Sequence, residues 1–223
     1  MRKFFKRTVS YFLIPLTRWY LRKTRTYQYE QIAVTVPPTV FHPGLFPSTG
    51  FLLDYLKQQD LISKSVLELG CGSGLISVWA AKRGAEVVSC DLNPAAVEAC
   101  KKNANDNGVR VEVVYSDLFD SLPRRHFDWI IINPPYYAKP ITNEEERAWN
   151  CGEHFQYFEK LFLQLREFTT KQSNVIMVLT EGCDVERIRA IALKSKFTFI
   201  LKREKQVLFD GRDFIFKITA SDN

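Results

Sequence analysis

Short apolar runs alternate with helical periodicity along the middle of the chain. Residues 65–69, 86–90, 111–115, 129–132 and 174–179 are compact, β-branched or aliphatic segments of the length that buried strands have. Between them, apolar positions recur at helical spacing and predict helices over 75–82, 94–105, 154–168 and 185–194. Gly84 ends the first of these, while Asn93 and Pro94 supply the cap and first position of the second. Two further strands, 197–205 and 213–219, follow without an intervening helix and are joined through Asp210, Gly211 and Arg212. Strand–helix alternation predicts a parallel sheet with helices on both faces, and the last two strands predict an antiparallel hairpin at one side. Upstream, residues 31–36 alternate as a short strand stopped by Pro37 and Pro38. A helix over about 48–58 carries Phe51, Leu52, Tyr55 and Leu56 on one face, with the Ser48 or Thr49 hydroxyl available as its cap.

At 223 residues, 46% hydrophobic and 25% charged, the chain suits one globular domain with a small appendage. The formal charge of +6 changes that picture through its placement. Residues 1–27 contain eight of the 31 bases and none of the 25 acids, so the remainder is slightly acidic. This divides the chain into a basic, amphipathic extension with a short strand over 1–45 and an α/β domain over 46–223. The extension also carries Phe4, Phe5, Tyr11, Phe12, Trp19 and Tyr20. It suits a helix lying on an anionic surface, membrane or nucleic acid, or equally a helix packed on the domain with its bases solvated. Its uncharged run, residues 8–17, is far short of the ~20 residues that span a bilayer. Cys71, Cys90, Cys100, Cys151 and Cys183 are scattered with no CxxC pair, which suggests reduced thiols, a cytoplasmic protein and no metal site.

Candidate chemistry gathers at the strand ends. Glu68 and Leu69 lead into Gly70-Cys71-Gly72-Ser73-Gly74, a glycine turn between a strand and a helix that lets backbone approach a ligand closely. Asp91 lies 21 residues after Gly70 at the end of the next strand, where a carboxylate can hold a ribose diol, with Leu92 beside it. The spacing GxGxG differs from the GxGxxG of dinucleotide binders, which disfavours an NAD dehydrogenase. Asp117 after the third strand can accept from an adenine amino group, with Leu118 against the ring. Glu68 can bond turn amides or face an ammonium group, and the sequence leaves both open.

Asn133-Pro134-Pro135-Tyr136 follows the apolar strand 129–132. Two prolines stiffen the backbone and remove two amide donors, leaving nearby carbonyls free. The Asn133 side-chain oxygen and the Pro134 carbonyl can accept both hydrogens of one NH2 group, and Tyr136 offers a flat face to a planar substrate. Such a site answers the poor nucleophilicity of an amide or aromatic amine nitrogen: bonding its hydrogens out of plane localises the lone pair, most strongly in the transition state. No tuned general base is needed, and His126 and His154 read as ordinary surface residues.

With these motifs the sequence resembles the class I S-adenosylmethionine-dependent methyltransferases. Within them it is similar to the HemK-type family, which methylates the glutamine of the Gly-Gly-Gln motif of peptide-chain release factors. The resemblance runs over roughly residues 36–219 and is carried by residues 68–74, 91–94 and 133–136, with 41–43 and 48–53 upstream. It implies a Rossmann-like, seven-stranded, mostly parallel sheet. It also implies S-adenosylmethionine contacts from Thr49, Glu68, Gly70, Gly72, Gly74, Asp91, Leu92, Asp117, Leu118 and Asn133. Asn133, Pro134, Pro135 and Tyr136 would hold the target nitrogen, with Asn133, Pro134 and Tyr136 catalytic. The helical substrate-docking domain of bacterial members has no counterpart, and residues 138–152 look more like the shorter eukaryotic and archaeal members through Ala148, Trp149 and Gly152. Three functional readings follow: methylation of a glutamine in a protein, such as a release factor; methylation of adenine N6 or guanine N2 in RNA or DNA; or, of another class, a catalytically inactive binding or scaffold protein.

Overall fold

The computed structural model describes residues 20–207 and 211–221. The expected seven-stranded sheet is present. Its strands are β3 (Ser65–Leu69), β4 (Glu86–Asp91), β5 (Val111–Tyr115), β6 (Trp129–Ile132), β7 (Asn174–Thr180), β8 (Phe197–Val207) and β9 (Gly211–Ala220). They lie in the order β5-β4-β3-β6-β7-β9-β8. Strands β3 to β7 are parallel to one another, and β9 pairs antiparallel to both β7 and β8.

Parallel neighbours need a crossover, and helices supply it. Helices α1 (Pro47–Leu56), α2 (Leu75–Ala81) and α3 (Pro94–Asp106) cover one face, where Leu52, Trp79 and Ala104 pack with Val66, Ile131 and Ile176. A single-turn α4 (Glu144–Arg147) follows β6. On the other face, α5 (Gln156–Leu165) and α6 (Val185–Lys194) set Phe158, Phe162 and Ile188 against Leu67, Ile130 and Met177. Consecutive residues of one strand thus serve opposite cores, which is why these strands read as unbroken apolar runs.

The chain before the sheet differs from the expected single strand. Arg25–Tyr29 forms a strand, β1, paired antiparallel with β2 (Ile32–Val36) around Glu30 in a left-handed conformation. The alternating tyrosines of β1 are hard to see beside the bases of the tail. Tyr27 packs edge-on against the buried His42 ring and covers Gly44, where an added Cβ would stand 2.3 Å from the tyrosine ring. The remaining tail, residues 1–19, lies outside the described residues, as do positions 208–210 of the turn expected between the last two strands.

Two helix starts also differ. Helix α1 begins with Pro47 after Phe46, and neither hydroxyl caps it: Ser48 and Thr49 are buried inside its first turn. Helix α5 starts at Gln156, two residues later than expected, because Phe155 is left-handed at φ 64°. It ends as a 3-10 turn over Arg166–Phe168.

Asn103, fully buried on α3, locks the hairpin to the sheet. Its carboxamide accepts from the Thr35 amide at 2.8 Å and donates to the Thr35 carbonyl at 2.9 Å and the Ser73 carbonyl at 2.8 Å. One side chain therefore completes an edge strand and grips the glycine turn. Asn103→Ala strands three backbone groups and should lower unfolding free energy by about 2–4 kcal/mol, read from denaturant midpoints at unchanged m.

Candidate active site

Register assembles the site. Leu69 pairs with Ile132 and with Cys90, so Gly70, Asn133 and Asp91 emerge side by side at the carboxyl rim. Because β4 lies to one side of β3 and β6 to the other, the chain leaves the rim in opposite directions and opens a crevice there. That crevice is a cavity of about 580 Å³, within the range of sites for small organic ligands.

The glycine turn is held from beneath. Gly70 and Cys71 donate to the Cys90 carbonyl at 2.9 and 3.0 Å, and Gly72 donates to Asp91 Oδ2 at 2.9 Å. Asn93 donates its amide to Asp91 Oδ1 at 2.9 Å. Each Asp91 oxygen thus takes one backbone N–H and keeps acceptor capacity for the cavity that it lines. Burial raises the pKa of its carboxyl, against the opposing pull of the Asn93 and Gly72 amides.

Gly70 and Gly72 line the cavity, whereas Gly74 does not. Gly74 is left-handed at φ 76°, and a Cβ there would lie 2.4 Å from Cys100 Sγ and 3.0 Å from Cys100 Cα. It is the close-packing point between the turn and α3.

Glu68 lines the cavity yet is almost wholly buried, and it accepts a short hydrogen bond from Ser77 Oγ of α2. Ser77 is in turn bonded to Ser89 of β4. Of the two sequence readings, bonding to turn amides does not occur; Glu68 meets a helix hydroxyl. Burial pushes its pKa up to about 8, with Ser77 opposing.

Asp117, Leu92 and Leu118 line the same cavity. Leu118 is buried and left-handed at φ 54°. Asp117 is not a free acid: Lys160 of α5 bridges it and Asp120, at 2.6 Å to each. Gln164 donates to the second oxygen of Asp120 at 2.6 Å. Lys160 lies 43 residues from Asp117, and nothing in the sequence marks it.

At the other end, Asn133 Nδ2 donates to Thr49 Oγ1 at 3.3 Å. Thr49 is therefore buried in α1 for a reason other than capping: it fixes which way the Asn133 amide faces. Among the described residues no donor reaches Asn133 Oδ1 or the Pro134 carbonyl. Both prolines and Tyr136 line the cavity. The Tyr136 and Tyr137 amides both donate to the Trp149 carbonyl, at 3.0 and 2.9 Å, which pins the motif to the segment after α4. Trp149 packs against Phe41 and Phe46 with ring centroids 5.0 and 4.5 Å away, forming an aromatic wall. Burial raises the pKa of the Tyr136 hydroxyl. His126 and His154 are exposed, as expected, and no metal-binding cluster occurs among the described residues.

Parallel order, glycine turn and rim acids together define a class I methyltransferase fold. A family model for the methyltransferase small domain matches residues 31–196, and the chain belongs to that family. A Methanocaldococcus jannaschii protein, named as a provisional protein N5-glutamine methyltransferase, is 41% identical over 108 residues, 48% of this chain and 53% of that protein. The ribosomal protein L11 methyltransferase of Photobacterium profundum is 42% identical over 74 residues, 33% of this chain and 25% of that one. The chain thus spans about half or less of these relatives. Among solved structures, a chain of the E. cuniculi Mtq2–Trm112 complex, responsible for methylation of the eRF1 termination factor, matches with TM-score 0.62 at 22% identity. That match covers 82% of this chain and 99% of the other. The T. thermophilus 16S rRNA N2 G1207 methyltransferase RsmC, solved with AdoMet and guanosine, gives 0.63 at 19% identity over 89% and 50%.

The buried Glu68 makes a pH signature. Its folded pKa of about 8 stands above the ordinary 4.5, so the stability it favours is full below pH 4.5 and is lost as pH rises through 8. The melting temperature of the free protein should fall across this window. Glu68→Gln should flatten the slope, leaving the smaller part from Asp91; an unchanged slope in melting scans would show Glu68 already ionised.

Proposed function

We propose that this chain is an S-adenosylmethionine-dependent N-methyltransferase acting on a planar amide or amine nitrogen, with a protein glutamine side chain as acceptor. The observation that carries the chemistry is the Asn133 carboxamide, turned by Thr49 so that its oxygen has no hydrogen bond among the described residues and lies beside the glycine turn. The acceptor assignment is supported by the 41% identity to the M. jannaschii protein and by a body without excess positive charge.

The residues present fit the cofactor. Asp91 has acceptor capacity for a ribose diol, and Glu68, with no cation beside it among the described residues, is the carboxyl that a bound ammonium group would draw into its charged form. Asp117 keeps its second oxygen for an adenine amino group while Lys160 engages the first, and Leu118 offers an apolar surface. Bound there, S-adenosylmethionine would supply an electrophilic methyl group on a sulfonium centre.

The chain's own contribution is orientation and polarisation. The Asn133 oxygen and the Pro134 carbonyl accept the two hydrogens of the incoming NH2 group. This draws the nitrogen toward a pyramidal geometry and localises its lone pair. The interaction strengthens as positive charge develops on the nitrogen, so it favours the transition state over the ground state. Tyr136 stacks on the acceptor plane, its backbone held by Trp149. The aromatic wall of Phe41, Phe46 and Trp149 limits water at this end of the cavity.

Asn133→Ala should lower the single-turnover methylation rate by roughly 10²–10³, the scale of losing one preorganised polar group. Cofactor affinity, measured in parallel by equilibrium binding, should change far less. Labelled S-adenosylmethionine with fractionated cell extract identifies the acceptor: label in protein, recovered as methylglutamine on hydrolysis to peptides, is expected. Label in RNA or DNA alone overturns the glutamine assignment and leaves the chemistry; no label in any fraction overturns the enzyme assignment.

A further inference from the structure

Residues 37–41 form a strap between the β-hairpin and α1 that lines the cavity through Thr39, Val40 and Phe41, with Thr39 beside Asn93. The strap contains a tight turn in which the Val40 amide donates to the Pro37 carbonyl at 3.4 Å. Pro38 takes the second position of that turn, and Thr39 the third, at φ 70°. A third position with positive φ is ordinarily glycine or asparagine. A β-branched residue is disfavoured there, and its backbone persists only where neighbours hold it.

Those neighbours are visible. Asn93 Nδ2 donates to the Thr39 carbonyl at 3.1 Å and to Thr39 Oγ1 at 3.4 Å. The hydroxyl that makes Thr39 a poor fit to the turn is thus one of two atoms by which it is held. The same Asn93 caps α3, accepting from the Ala95 amide at 2.9 Å, and donates its own amide to Asp91. Within α3, Asn103 grips Thr35, and just past its end Asn107 donates to the Ala33 carbonyl at 2.8 Å. The asparagines within and flanking one helix therefore stitch the chain down at Ala33, Thr35 and Thr39, with Asn93 the stitch nearest the cavity. Val40 is buried close to Gly72, and Phe41 joins the aromatic wall against Trp149.

We infer that Asn93 is a positioning residue that latches the strained Thr39 strap over the ribose side of the cavity and so sets how long the nucleoside ligand stays bound. The inference rests on the cofactor reading above. The ribose carboxylate and the strap are clamped by one side chain and its own backbone amide, so release of the ligand past Thr39 requires that clamp to open. Strain at Thr39 makes the strap ready to leave once the carboxamide donor is gone.

Asn93→Asp separates the latch from the cap, since it keeps the side-chain acceptor for Ala95 and removes the NH2 donor. Ligand release is read by stopped-flow displacement of S-adenosylhomocysteine, following tryptophan fluorescence, with Asn93→Ser as a second cap-preserving variant. The dissociation rate should rise at least about tenfold in Asn93→Asp, while the melting temperature stays within about 2 °C because the cap is retained. A merely structural role would not depend on strain at Thr39. In a Thr39→Asn background, where the left-handed turn is tolerated, Asn93→Asp should therefore raise the rate by less than about threefold. Equal factors in the two backgrounds, or an unchanged rate in both single Asn93 variants, overturn the latch. Failure of the wild-type protein to bind S-adenosylhomocysteine overturns the cofactor reading instead, and the latch falls with it.

Discussion

The Asp91 carboxylate, accepting one amide from the glycine turn and one from the start of α3, is the constraint on which the site depends. Parallel strands end with carbonyls and loops that have no intrinsic reason to stay close. Here one side chain joins the loop after β3 to the loop after β4, and the Cys90 carbonyl adds two more bonds from the same turn. Each Asp91 oxygen is half-used, so the group that builds the turn can also meet a ligand. Burial of the carboxyl against solvent favours its neutral form, and the turn amides oppose that tendency by bonding the charged one.

From that anchor the rest follows by register. The pairing of Leu69 with Ile132 places Asn133 beside Gly70, and α1 then delivers Thr49 to the Asn133 amide. The two halves of the cavity are made from different materials. Buried carboxyls and backbone amides line the turn and the ends of β3 and β4, whereas prolines, tyrosine and an aromatic wall line the end of β6. Such a division suits a charged small molecule held on one side and a planar acceptor admitted on the other. The Lys160 bridge between Asp117 and Asp120 extends the charged half onto α5 across the opposite face of the sheet.

The sheet and most rim residues are legible in the sequence because they depend on local signals. Buried parallel strands are apolar on both sides, so 65–69 and 129–132 stand out, and the glycine turn and Asn-Pro-Pro-Tyr follow them directly. What escapes depends on partners distant in the chain. Strand β1 hides because its tyrosines sit among bases, and only its pairing with β2 reveals it. Ser48 and Thr49 look like caps from their hydroxyls, but Pro47 opens the helix and tertiary contacts bury both. Asn103 looks like a solvated helix residue, and only the position of Thr35, 68 residues away, turns it into a clamp. Gly74 belongs to the turn by pattern, and only the structure shows that Cys100 of α3 leaves no room for a side chain there.

We propose that the carboxyl rim of this sheet seats S-adenosylmethionine through Asp91. Titration calorimetry of the wild-type and Asp91→Ala proteins with S-adenosylmethionine, and with NADH as the competing nucleotide, decides the matter. The expected result is wild-type binding on the order of −7 to −8 kcal/mol, at least tenfold weaker binding in Asp91→Ala, and no heat with NADH. Binding of NADH with none of S-adenosylmethionine, or an Asp91→Ala protein that binds S-adenosylmethionine as tightly as wild type, would contradict it.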